Sequence, residues 1–178
     1  LIADKIHNVD VLKNGVPERL FQHNKRLVII SNPPFGKYHL SNTEHDMLIN
    51  NGFLSEYTCA KNARQEVIFL ANSLRVAKKG SYLSFIVPTT ILCNDLWKKL
   101  RETLVEKHRL TGVFLLPNDI FQATEVKSAI IFMEAYGGVA DTIKVVDLSD
   151  DKVDIEYISP DMFINSKFNR EITVEDNI

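Results

Sequence analysis

The feature that most constrains this chain is a strand that stops on two prolines. The run Leu27-Val28-Ile29-Ile30 is followed by Ser31 and then by Asn32-Pro33-Pro34-Phe35. Consecutive apolar, largely β-branched residues read as a buried strand of a parallel sheet, because such strands are covered on both faces. Proline donates nothing to a sheet ladder, so the strand must end there. The next residues then form a stiff polar loop at a strand's carboxyl end. In open α/β sheets that is where ligands bind.

The rest of the sequence supplies such a sheet. "KIHNVDVLKNG" has a short strand pattern ending near Asp10, with a turn at Asn14-Gly15. Residues 36–61 are polar and uneven, a stretch long enough to be functional or mobile. "NARQEVIFLANSLRVAKKG" predicts a helix N-capped by Asn62, with Gln65 as capping-box partner and a stop at Gly80. Val67, Leu70, Ala71 and Leu74 share one face of it. "YLSFIVP" is a strand ending at Pro88, and "NDLWKKLRETLVEKH" an amphipathic helix with Leu96, Leu100 and Leu104 inward. "LTGVFLLP" and "SAIIFMEAY" follow as strands, joined too closely for a crossover helix and therefore antiparallel. "TIKVVDL" and "VDIEYIS" are later strands, and the last residues read as a frayed tail. Strands alternating with helices give an α/β fold with a mostly parallel sheet.

Composition narrows the class further. The 178 residues suffice for one domain with a real core, and 45% hydrophobic with 25% charged residues is ordinary for a soluble globular protein. A net charge of −2 excludes a strongly basic surface overall. Cys59 and Cys93 have neither metal-ligand nor disulfide spacing and read as free thiols of a reducing cytosol. The five histidines show no ligand spacing, so no metal is expected. No apolar run is long enough to span a bilayer and no signal peptide is visible, so the expected location is cytoplasmic, without a membrane partner. The chain opens on Leu1 and runs at once into strand-like sequence, as a piece cut from a longer protein would.

The chemistry of Asn32 to Phe35 suits a flat, amine-bearing group. The Asn32 side-chain oxygen and the Pro33 carbonyl can both accept hydrogen bonds from one NH₂. Two acceptors draw that nitrogen out of planarity and free its lone pair for attack, which is electrostatic positioning without a strong base. Phe35 can stack on the ring that bears the amine. The plainer reading is a simple turn, since Asn and Pro are common turn residues.

With these residues in view, the sequence resembles the adenine-N6 DNA methyltransferases of the γ arrangement. Among them are the modification subunits of type I restriction systems and single-chain restriction-modification enzymes. "NPPF" resembles their catalytic motif IV, and "GSYLSFIVPTTIL" the glycine–strand–"VP" segment after the motif IV helix. "LPNDIFQATEVKSAIIFME" resembles the motif VIII region, and "VDVL" motif III. The resemblance runs from about residue 5 to about residue 148, in the family's order. It implies a Rossmann-like S-adenosylmethionine-dependent methyltransferase domain, present here in its C-terminal part with a terminal antiparallel strand. It implies a partial catalytic domain over 1–148 and a C-terminal extension over 149–178, which is too short for a target recognition domain. The family's glycine-rich loop for the methyl donor and its ribose-binding acid are absent from the 178 residues. Most of the S-adenosylmethionine site is therefore expected upstream of Leu1, and the fragment alone is expected to be inactive.

Carried over residue by residue, the resemblance gives Asn32 the N6 amine, through its side chain, and Pro33 the same amine, through its carbonyl. Pro34 rigidifies the loop and Phe35 stacks on the flipped base. Phe121 covers the base from the other side, or is a plain core aromatic. Asp10 contacts the donor's adenine, or is a turn residue. Lys37 and Lys127 flank these positions and read more simply as solvated lysines. The implied function is site-specific methyl transfer from S-adenosylmethionine to adenine N6 in DNA, as part of a restriction-modification system, with DNA and a specificity subunit as partners. Rival readings are a methyltransferase acting on RNA bases or protein glutamine, and a non-catalytic DNA-binding or assembly fragment. The near-neutral charge speaks mildly against the last, because backbone binding needs Lys and Arg.

Overall fold

The computed structural model describes residues 8–16, 26–38, 57, 64–118, 120–121, 126–149 and 153–166. In chain order these hold α1 (Val11–Asn14), β1 (Val28–Ser31), α2 (Gln65–Val76), β2 (Tyr82–Pro88) and α3 (Thr90–Cys93). A 3-10 turn (Asp95–Trp97), α4 (Lys98–Glu106), β3 (Arg109–Leu115), β4 (Ser128–Glu134), β5 (Ile143–Asp147), β6 (Asp154–Ile158) and α5 (Pro160–Ile164) follow.

The six strands form one sheet in the order β1-β2-β4-β3-β5-β6. β1 pairs parallel with β2, and β3 parallel with β5. β4 is antiparallel to both β2 and β3, as the short connection from β3 requires, and β6 is antiparallel to β5. Four strands thus run one way, but β4 inserts between two of them, so most neighbouring pairs are antiparallel. Past residue 148 the chain adds β6 to the sheet edge and α5 to the core, where Ile158 and Phe163 are buried.

The core lies on one face of the sheet. Leu83, Phe85, Val87, Ile131 and Met133 point into it and meet Leu70 and Leu74 of α2 and Leu100 and Leu104 of α4. The opposite face carries Val28 and Ile30 of β1, Tyr82 of β2 and Phe132 of β4, which lie in adjacent rows of the register. These remain open: Val28 is 73% exposed and Ile30 78%. The expected buried strand is therefore an edge strand. Among the described residues it has one neighbour and one covered face, through Ile29.

Four local expectations change for physical reasons. No strand ends at Asp10; a short helix starts at Val11, with the Asp10 side chain accepting from the Leu12 N–H at 3.1 Å. α2 begins at Gln65 behind Arg64, which gives no side-chain cap. Asn62 lies outside the described residues, and the Gly36 carbonyl accepts the Gln65 N–H at 2.9 Å instead. α2 also ends earlier than expected, at Val76, and Gly80 adopts φ +82° in the turn that leads to β2. Before α4, the tight 3-10 turn is capped by Asn94 and places Trp97 in the core, leaving Leu96 67% exposed. The expectations for Cys59, for most of 36–61 and for the tail fall outside the described residues.

Candidate active site

The proline loop leaves the carboxyl end of β1, beside the carboxyl end of β2, because the two strands are parallel and Ser31 pairs with Phe85. The β3–β4 connection projects from the same end, since Ser128 opens β4 opposite Pro88. The Thr89 N–H donates to the Lys127 carbonyl at 2.9 Å and ties the exit of β2 to that connection. Sheet topology thus gathers three loops: the one with Asn32 to Phe35, the turn after Pro88, and the one with Phe121.

Within the first loop the residues differ in exposure. Pro33 is buried, Asn32 and Pro34 are exposed, and Phe35 is half-buried. The buried proline anchors the loop while the Asn32 amide reaches solvent. Two consecutive prolines fix their own φ angles and restrict the residues before them. An asparagine held this way offers an acceptor whose backbone has little freedom to lose on binding.

The loop is then fastened to α2. The Gly36 N–H donates to Glu66 Oε2 at 3.0 Å, and the Gly36 carbonyl accepts from Gln65. Glu66 Oε1 accepts from Arg64 Nε, and the Glu66 side chain is wholly buried. Lys37 and Arg64 form an isolated antiparallel bridge beside these bonds. Gly36 has φ +129°, which favours glycine over residues with a side chain. Sequence reasoning missed Glu66 and Arg64. Their signal was a glutamate on the stripe Glu66-Leu70-Leu74, where an apolar residue would otherwise stand.

The other expected residues lie as follows. Phe121 is half-buried in the β3–β4 connection, at the same end of the sheet as Phe35. Asp10 is exposed and caps α1, which docks on α2 through the Asn72 side chain donating to the Val11 carbonyl at 3.2 Å. Lys37 and Lys127 are both exposed. Among the described residues no group of His, Cys, Asp and Glu could hold a metal ion, and no helix is long and apolar enough to cross a membrane.

A second polar cluster lies beneath α3 and the 3-10 turn. Arg101 is fully buried and donates to the carbonyls of Ile91, Asn94 and Ile164 at 2.8–3.0 Å. It pins α5 to the segment that follows β2. Burial pushes its guanidinium below the usual range, and Asp95 is foremost among the groups that counter this. Burial also pushes the nearby Cys93 thiol up, against the pull of Arg101.

Residues 2–171 match the family described as N-6 DNA methylase. The chain belongs to this family. A Methanocaldococcus jannaschii protein, named as a type II restriction enzyme and methyltransferase, is 31% identical over 106 residues, 60% of this chain and 8% of that protein. The type I restriction enzyme MpnII methylase subunit of Mycoplasma pneumoniae is 22% identical over 127 residues, 71% of this chain and 23% of that one. Among solved structures, the type I restriction-modification methyltransferase subunit of Streptococcus thermophilus superposes with a TM-score of 0.63 at 21% identity, over 90% of this chain and 34% of that one. The chain thus spans less than a quarter of the two curated relatives. Its sheet is part of the S-adenosylmethionine-dependent methyltransferase fold. In this N-6 DNA methylase chain the proline loop leaves the carboxyl end of β1.

Proposed function

We propose that this chain forms the target-base side of a DNA methyltransferase that moves a methyl group from S-adenosylmethionine to adenine N6 within a restriction-modification system. The observation that carries the reading is the loop Asn32-Pro33-Pro34-Phe35. It leaves a strand's carboxyl end with Asn32 exposed, Pro33 buried and its far end pinned to α2. Asn32 accepts one N6 hydrogen through its side-chain oxygen, and Pro33 the other through its carbonyl. The amine lone pair is then directed at the methyl group, and the N6 proton leaves after transfer. Phe35 stacks on the base, and Phe121 closes over it from the β3–β4 connection. A base inside a duplex is unreachable, so the target is flipped out.

S-adenosylmethionine supplies the electrophilic methyl group when bound. Asp10 is the one residue proposed to touch it, at its adenine. The chain has no glycine-rich donor loop, so the residues present fit the target base better than the donor. DNA is the substrate, a specificity subunit is a partner, and the cytoplasm is the expected setting.

The test is a substrate panel with labelled donor, run on the natural full-length polypeptide that carries these residues. Label on adenine N6 of duplex DNA at a defined site is the expected result. Label on RNA or on protein glutamine, or no transfer at all, would overturn the reading.

A further inference from the structure

We infer that Glu66 is a positioning residue for methyl transfer, acting through Gly36 on the loop that presents Asn32 and Phe35. The inference rests on the function proposed above. The loop is fixed at its start, where Ser31 pairs with Phe85 in the sheet. At its far end both polar groups of Gly36 are held by the head of α2, the N–H by Glu66 and the carbonyl by Gln65. Only residues 32–35 lie between, and prolines occupy two of those positions. Releasing Gly36 therefore frees one end of a short, stiff segment, and the Asn32 and Phe35 side chains move with it.

Packing alone does not account for a glutamate here. Glu66 has no exposed surface, and it lies on the stripe that continues with buried Leu70 and Leu74. Taking a carboxylate out of water is costly, and an apolar residue of similar volume often serves the fold as well or better. What an apolar residue cannot supply is the acceptor for the Gly36 N–H. Arg64 turns the carboxylate toward that task by donating to its other oxygen. Both residues are joined to the loop, Glu66 directly through Gly36 and Arg64 through Glu66.

The variants Glu66→Leu and Glu66→Gln separate this role from a structural one. Leucine suits the apolar stripe but cannot accept, whereas glutamine keeps an oxygen for Gly36. In the full-length protein, E66L should fold and bind DNA and S-adenosylmethionine as the wild type does, with kcat down by about 10²-fold, the usual cost of a small misplacement. E66Q should restore most of kcat. Amide exchange at Gly36 should be slow in the wild type and E66Q and fast in E66L. Wild-type kcat in E66L, or E66Q as slow as E66L with Gly36 still protected, would overturn the proposal. Should E66L not fold, Arg64→Ala decides: slower turnover with faster Gly36 exchange supports it, and wild-type turnover overturns it. A wild type that methylates no adenine removes the proposed function and the positioning role of Glu66 together. The exchange measurement then reports separately on the clamp.

Discussion

Asn32 is the residue on which the proposed chemistry turns. Its acceptor gains most when the N6 nitrogen becomes pyramidal, so Asn32→Ala should lower kcat by about 10²–10³-fold, as removal of one oxyanion-hole donor does. S-adenosylmethionine affinity should hardly change; near-wild-type turnover would remove the amide from the mechanism. Phe35 is half-buried. Phe35→Ala should weaken the flipped state by about 1–3 kcal/mol, read from 2-aminopurine fluorescence at the target position. Phe121→Ala should do likewise if that ring closes the pocket. Cys93 makes a prediction about pH. Its thiol is held protonated by burial, and its Sγ–H donates to the Thr89 carbonyl at 3.4 Å. Above about pH 8.5 an unfolded cysteine ionises while the folded one keeps its proton, so the folded state binds more protons and stability falls as pH rises. The Tm of the wild type should therefore decline relative to Cys93→Ser through that alkaline window and run parallel to it at neutral pH. An unchanged difference across the window would refute the shift.

At the scale of elements, α5 shows how five residues hold the end of the described chain. Ser159 caps it through the Met162 N–H, Pro160 opens it, and Phe163 is buried against the core. The Ile164 carbonyl receives Arg101, and the Ser166 hydroxyl donates to the Leu92 carbonyl at 2.9 Å. This places the region after residue 148 under the segment that follows β2, so its loss should be felt there. Phe163→Ala should cost about 3–5 kcal/mol, the usual range for deleting a buried phenylalanine. Urea denaturation measures it; a loss near zero would mean that α5 does not carry the contact.

For the whole molecule, the division between faces matters most. One face of the sheet has its helical layer. The other exposes Val28, Ile30, Tyr82 and Phe132, although layered α/β folds cover both. For the donor, Asp10 is the single contact proposed among these 178 residues. The 178 residues alone should therefore bind S-adenosylmethionine weakly or not at all. Calorimetry tests this, and micromolar affinity would show that the donor site has been misplaced.

The amino-acid sequence by itself determined the strands β1 to β6, the proline stop, the antiparallel turn back from β3 to β4, and the family. These follow from local chemistry: runs of β-branched residues, a ring without an N–H, and a connection too short to cross over. The proposal that Asn32 and Pro33 activate an amine also comes from the sequence, because it needs only side-chain type and order. Tertiary structure alone decided that β1 is an edge strand, since exposure depends on neighbours and not on hydrophobicity. It decided that Trp97 faces inward in place of Leu96, because a 3-10 turn shifts the helical phase ahead of α4. It decided, finally, that the head of α2 is satisfied by Gly36 and that Glu66 answers in return. A bond between residues thirty positions apart leaves no local trace beyond a charge on an apolar stripe.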